Sequence, residues 1–172
     1  HEARQALARD IHPLLATRGV PGTHDVELGL QLLDALARSG EVRLPRFDKA
    51  RDTRRPQAEW DRFAGPADVV LFEGWCVGAR PQAEAALAAP VNDLEREEDP
   101  EGRWRRHANA RLAGPYQALF GRLDRLVLLQ ARGFETVLGW RREQEAKLRR
   151  RLASGGEDLS RTLDEAALAR FV

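Results

Sequence analysis

Glu73 closes a run of four apolar residues, Val69-Val70-Leu71-Phe72, and Gly74 follows at once. A short, wholly apolar run reads as a strand buried on both faces, as in a parallel sheet covered by helices. A carboxylate at the end of such a strand sits at the carboxyl edge of the sheet, where open α/β folds bind ligands. Glycine beside it lets backbone and ligand approach closely. The chemistry open to an acid there is to help hold Mg²⁺ beside the phosphates of a nucleotide. The same residues also read as a core strand ending in a solvated acid.

Three further groups of polar residues can do chemistry. The segment from Pro45 to Arg55 combines Arg46, Asp48, Lys49, Arg51, Arg54 and Arg55. Guanidinium forks suit a carboxylate or phosphate, so this reads as a loop for an anionic substrate. It reads equally as a solvated charged loop, because Lys49 and Lys147 are the only lysines among 28 basic residues. His24 and Asp25 follow the Pro21-Gly22 turn just before a helix. Polar groups near a helix N-terminus can orient a small hydroxy acid, and Asp25 can also be a plain cap. Arg103, Arg105, Arg106 and Arg111 lie on or beside one helix. They suit a lid whose arginines close over a nucleotide, or a surface helix offset by the acidic run Glu95, Glu97, Glu98 and Asp99. His12, His107 and Cys76 show no metal-ligand spacing.

The elements that must position these groups follow from pattern and breakers. Residues Glu2 to Leu15 read as a helix broken near Pro13. Arg18 to Asp25 is a Gly/Pro loop, capped into a helix from Val26 to Ser39 by Thr23 or Asp25, with Leu28, Leu32, Leu33 and Leu36 on one stripe. Val42–Leu44, Val69–Phe72 and Leu126–Leu129 read as parallel strands of one sheet. Trp60 to Phe63 reads as a helical turn. Arg80 to Ala89 reads as a short helix and Val91 to Asp99 as a segment capped at Asn92. Arg103 to Leu119 reads as a helix kinked at Pro115, and Glu135 to Leu152 as a charged helix.

Composition bounds the rest. The chain has 172 residues, 42% hydrophobic and 32% charged, enough for one domain with a sizeable core. A net charge of +1 gives no electrostatic case for nucleic acid or an anionic membrane. No apolar run approaches a membrane span, and no secretory signal is visible. Cys76 is the only cysteine, which excludes an internal disulfide and suits a reducing, cytoplasmic setting. The chain has no methionine, begins at His1 and ends on the apolar Phe171-Val172, so it reads as a fragment truncated at both ends.

Four stretches, in order, carry a resemblance. They are Val20-Pro21-Gly22-Thr23-His24-Asp25; Leu44-Pro45-Arg46-Phe47-Asp48-Lys49 with Arg51; Phe72-Glu73-Gly74-Trp75-Cys76-Val77-Gly78; and Asn109 to Tyr116 running into Asp124. With these the chain resembles the P-loop kinases of the phosphoribulokinase/uridine kinase superfamily, most closely the D-glycerate 3-kinase branch and its bacterial relatives. The resemblance implies an α/β, three-layer parallel sheet of the P-loop nucleoside triphosphate hydrolase type, incomplete at both ends. It implies a single partial domain over 1–172 with a lid helix near 92–119. The implied activity is ATP- and Mg²⁺-dependent phosphorylation of a hydroxyl on D-glycerate or a similar small acid. A nucleoside or pantothenate-type kinase, or a non-catalytic binding module, is the alternative. Glu73 is then the metal ligand and a catalytic residue, with Arg105 and Arg106 acting on the transferred phosphoryl group. His24, Asp25, Arg46, Asp48, Lys49, Arg51 and Arg80 form the substrate-binding set. The family's phosphate loop G-x-x-x-x-G-K-[ST] is absent, since Lys49 follows Asp48 and Lys147 follows Ala146. That loop and the general base are expected upstream of His1.

Overall fold

The computed structural model describes residues 2–48, 53–74, 76–155, 162–165 and 167–168. The chain falls into two compact units, His1–Leu126 and Val127–Val172. In the first unit, α1 (Glu2–Asp10) gives way to a 3-10 turn at Pro13–Ala16, where proline cannot continue the helix. Asp25 caps α2 (Val26–Leu36), its side chain accepting from Leu28 N–H. Next come β1 (Gly40–Leu44), β2 (Phe47–Asp48), β3 (Thr53–Arg54) and β4 (Asp61–Gly65). A 3-10 turn at Glu84–Leu87 precedes α3 (Asp93–Glu98) and α4 (Arg103–Arg111). A wide π-type turn at Leu112–Tyr116 then leads into α5 (Gln117–Phe120). It is broken at Gly114, whose φ/ψ of −98° and −109° is not helical, and it contains Pro115. The second unit holds α6 (Phe134–Gly155). There the buried Glu145 accepts Leu163 N–H at 2.8 Å, tying α6 to the segment that follows it.

The core of the first unit joins α2 to the Leu112–Phe120 region. Val26, Leu112, Tyr116 and Leu119 are buried together, with Leu30, Leu33, Cys76, Ala79 and Phe120 packed against them. Arg122 reaches back to Asp34 at 2.5 Å, and Gln117 Nε2 donates to Ala79 O at 2.9 Å. The kink at Gly114-Pro115 is what turns Tyr116 into this core.

The strands depart from the sequence expectation. Val42–Leu44 lies in a strand, but β1 pairs with β4 antiparallel, Val42 opposite Phe63 and Leu44 opposite Asp61. Trp60–Phe63, read as a helical turn, runs instead into β4. β2 and β3 form a second antiparallel pair, Phe47 opposite Arg54. Val69–Phe72 and Leu126–Leu129 are not strands in this structure. Val69 and Leu71 are 77% and 92% exposed, and Leu129 is 91% exposed. A buried strand needs neighbours to pair its backbone and cover both faces, and none is supplied among the described residues. The structure thus has mixed α/β character with two small antiparallel sheets, and the parallel sheet is not formed. No helix among the described residues is long and apolar enough to cross a membrane.

Candidate active site

The turn that starts α2 gathers part of the expected substrate set. Asp25 Oδ1 accepts Leu28 N–H at 3.1 Å, while Oδ2 lies 2.9 Å from Arg54 Nη1 on β3. One carboxylate therefore caps a helix and anchors the β2–β3 hairpin. Buried Thr23 closes the turn, accepting Gly19 N–H at 3.0 Å and donating to Val20 O at 2.7 Å. Gly22 has φ +101°, and a Cβ there would meet Arg111 Cγ and His107 Nε2 at 3.0 Å. Only glycine lets the turn lie this close to α4.

Tyr116, 2% exposed, organises the turn from below. Its hydroxyl accepts Gly22 N–H at 2.9 Å and His24 N–H at 3.3 Å, and lies 2.8 Å from His24 Nδ1. The two rings meet edge to face at 6.0 Å. Desolvation lowers the His24 pKa, and the positive charges of Arg18 and Arg4 lower it further. Burial raises the Tyr116 pKa. A neutral imidazole against a protonated phenol follows at neutral pH. Arg18 sits over the Phe47 ring at 3.8 Å, so the hairpin touches this turn on a second side. Sequence reasoning assigned no role to Tyr116 or Arg18. Tyr116 is the only tyrosine and follows the Gly114-Pro115 break, which was the available signal.

The other expected residues are dispersed. Arg46 is engaged by Asp61 at 2.6 Å, and Asp48 lies in β2 opposite Thr53. Lys49 and Arg51 lie outside the described residues, as does Trp75. Arg80 is exposed and makes no ion pair among the described residues. Glu73 is exposed at the end of its apolar run, and no hydrogen bond joins it to the His24 group. No group of three or more His, Cys, Asp or Glu among the described residues could hold a metal ion. Glu73 offers a single exposed carboxylate, one oxygen ligand and not by itself a metal site.

The expected lid contains two neighbouring arginines in opposite circumstances. Arg106 is partly exposed and pairs with Glu84 at 2.5 Å. Arg105 is 6% exposed and spends its donors internally. Its Nε donates to Leu87 O at 2.8 Å, Nη1 to Asp99 O at 2.5 Å and to Asp99 Oδ2 at 3.2 Å, and Nη2 to Ala88 O at 3.5 Å. The reading of Arg105 as a residue acting on phosphate is corrected: its guanidinium is a strut between α4 and the Leu87–Ala88 backbone. Asn109 adds a second clamp, accepting Gln82 N–H at 2.7 Å and donating to Gln82 O at 3.0 Å. Burial raises the Cys76 pKa, which disfavours the thiolate.

No protein-family model matches the chain. It is 34% identical over 157 residues to the Schizosaccharomyces pombe protein named "Uncharacterized kinase mug58", covering 86% of this chain and 54% of that one. It is 29% identical over 165 residues to the Arabidopsis thaliana "D-glycerate 3-kinase, chloroplastic", covering 90% of this chain and 34% of the relative. It is 28% identical over 159 residues to the Saccharomyces cerevisiae "Probable ATP-dependent kinase TDA10", covering 84% and 51%. The chain therefore spans about half the length of two of these relatives and a third of the other. These relatives are kinases by name.

Proposed function

We propose that this chain is the middle part of an ATP- and Mg²⁺-dependent kinase that phosphorylates a hydroxyl of a small acid, D-glycerate first. The carrying observation is similarity along 84% or more of the chain to three proteins named kinases, one of them a D-glycerate 3-kinase. The turn at His24, with Arg18 and Arg54 around it, is chemically suited to a small anion. Glu73 would give Mg²⁺ one oxygen ligand, and bound Mg²⁺ would neutralise charge on the phosphates. Arg106, on exchanging Glu84 for phosphate, would serve the transferred group. Arg46, Asp48, Lys49, Arg51 and Arg80 complete the substrate set on this reading. The phosphate loop and general base would come from residues outside these 172. On the same reading Val69–Phe72 and Leu126–Leu129 join a parallel P-loop sheet in the whole protein. Their exposed apolar side chains support this, because such runs are stable only when covered.

The test is ADP release by the full-length protein over a panel of D-glycerate, pantothenate and nucleosides. D-glycerate-dependent release supports the proposal. Release with pantothenate or a nucleoside alone reassigns the acceptor. No release with any of them leaves a non-catalytic binding module.

A further inference from the structure

The Tyr116 hydroxyl has one proton and two lone pairs. Both lone pairs are taken by backbone donors, Gly22 N–H and His24 N–H. Its proton is therefore left for His24 Nδ1, 2.8 Å away. A ring that accepts at Nδ1 carries its own proton at Nε2, and the hydrogen bonds of His24 to the described residues run through its backbone N–H and Nδ1 alone. His24 is exposed as a residue although its ring is partly desolvated, and Nε2 is the ring nitrogen turned from Tyr116. The charges around it are mainly positive. Arg18 is held over Phe47 and Arg111 runs past Gly22, and neither makes an ion pair among the described residues. Asp25, the acid of this turn, is already matched by Arg54. Arg4 lies close enough to act on the ring from α1.

We propose that Tyr116 is a positioning residue, fixing His24 with its proton on Nε2 so that this N–H, with Arg18 and Arg111 as the positive charges of the same turn region, binds the carboxylate of the small acid substrate. This rests on the kinase reading above and names the site that would hold its acceptor. Phenylalanine at 116 would keep the ring packing but abandon both backbone donors and release the imidazole to either tautomer.

Proton–nitrogen correlation spectra of the His24 ring in the full-length wild-type protein test the positioning directly. A proton on Nε2 is expected; a proton on Nδ1 overturns the proposal. Tyr116→Phe should mix the tautomers and raise KM for D-glycerate in proportion to the Nε2–H form lost, about twofold for an even mixture, with kcat unchanged. Unchanged KM in that variant overturns the proposal. If Tyr116→Phe fails to fold, His24→Ala and Arg111→Gln carry the same KM comparison on surface residues, and unchanged KM in both is again contrary. A wild-type protein that does not turn over D-glycerate refutes the acceptor and the carboxylate role, while the ring spectrum still decides the positioning separately.

Discussion

Replacing Asp99 by alanine should be among the most damaging single changes in the first unit. The Asp99 side chain is 1% exposed and accepts three hydrogen bonds: Trp104 N–H at 2.9 Å, Arg105 N–H at 3.1 Å and Arg105 Nη1 at 3.2 Å. The first two satisfy orphan donors in the first turn of α4, a cap supplied from beyond the left-handed Gly102. The third neutralises a buried guanidinium. In the alanine variant Arg105 keeps its carbonyl partners but loses its counter-charge. Breaking a buried pair from one side costs about 3–5 kcal/mol, and the lost cap is worth about 1 kcal/mol within that range. Such a loss is a large share of a typical stability of about 5–15 kcal/mol. Asp99→Asn should fall in between, since an amide oxygen still accepts the backbone donors. The neighbouring Arg106→Gln breaks an exposed pair and should cost about 0–1 kcal/mol. Urea unfolding of the full-length protein, followed by tryptophan fluorescence, measures all three. A loss below about 1 kcal/mol for Asp99→Ala, or equal losses for Asp99→Ala and Arg106→Gln, would refute the strut.

The remaining predictions concern the turn and the proposed role of Glu73. Both His24 and His107 have pKa values lowered by burial, so the unfolded chain binds protons first as pH falls. Stability should be full above pH 6.5, the ordinary histidine value, and decline on acidification below it; a melting temperature flat from pH 7 to pH 5 would contradict this. Gly22→Ala should destabilise by about 1–2 kcal/mol, because an L residue at φ +101° is strained and its Cβ crowds Arg111 and His107; thermal melts check it. Glu73→Gln in the full-length protein should leave the melt unchanged, since the side chain is exposed, and lower kcat on the order of 10²-fold by weakening metal-held charge stabilisation; near-normal turnover would remove Glu73 from the metal site.

Local rules made much of the helical framework legible. The leucine stripe and the Asp25 cap place α2, and Pro115 marks where α4 must deviate. Non-local pairing was not legible. Val42–Leu44 reads as a strand, but its direction depends on a partner about twenty residues away, whose Trp60–Phe63 start has no helix-excluding residue. Val69–Phe72 and Leu126–Leu129 carry the pattern of covered strands, and pattern alone does not supply the cover. Within the site, His24 and Asp25 stood out because they follow a Pro-Gly turn. Tyr116 did not, because its bonds to Gly22 and His24 span more than ninety residues. Arg105 and Arg106 are indistinguishable in sequence. What separates them is the tight turn from Asp99 to Gly102, where Gly102 N–H bonds Asp99 O at 3.0 Å. That turn folds an acid from an apparently solvated run back under Arg105 alone.

The central claim is phosphoryl transfer to a small hydroxy acid. Its most direct test is mass analysis of the products formed by full-length protein with Mg-ATP and D-glycerate. The account predicts one phosphoglycerate for each ADP, with neither formed when D-glycerate is omitted. ADP produced at the same rate with and without D-glycerate, and no phosphorylated acid, would contradict it.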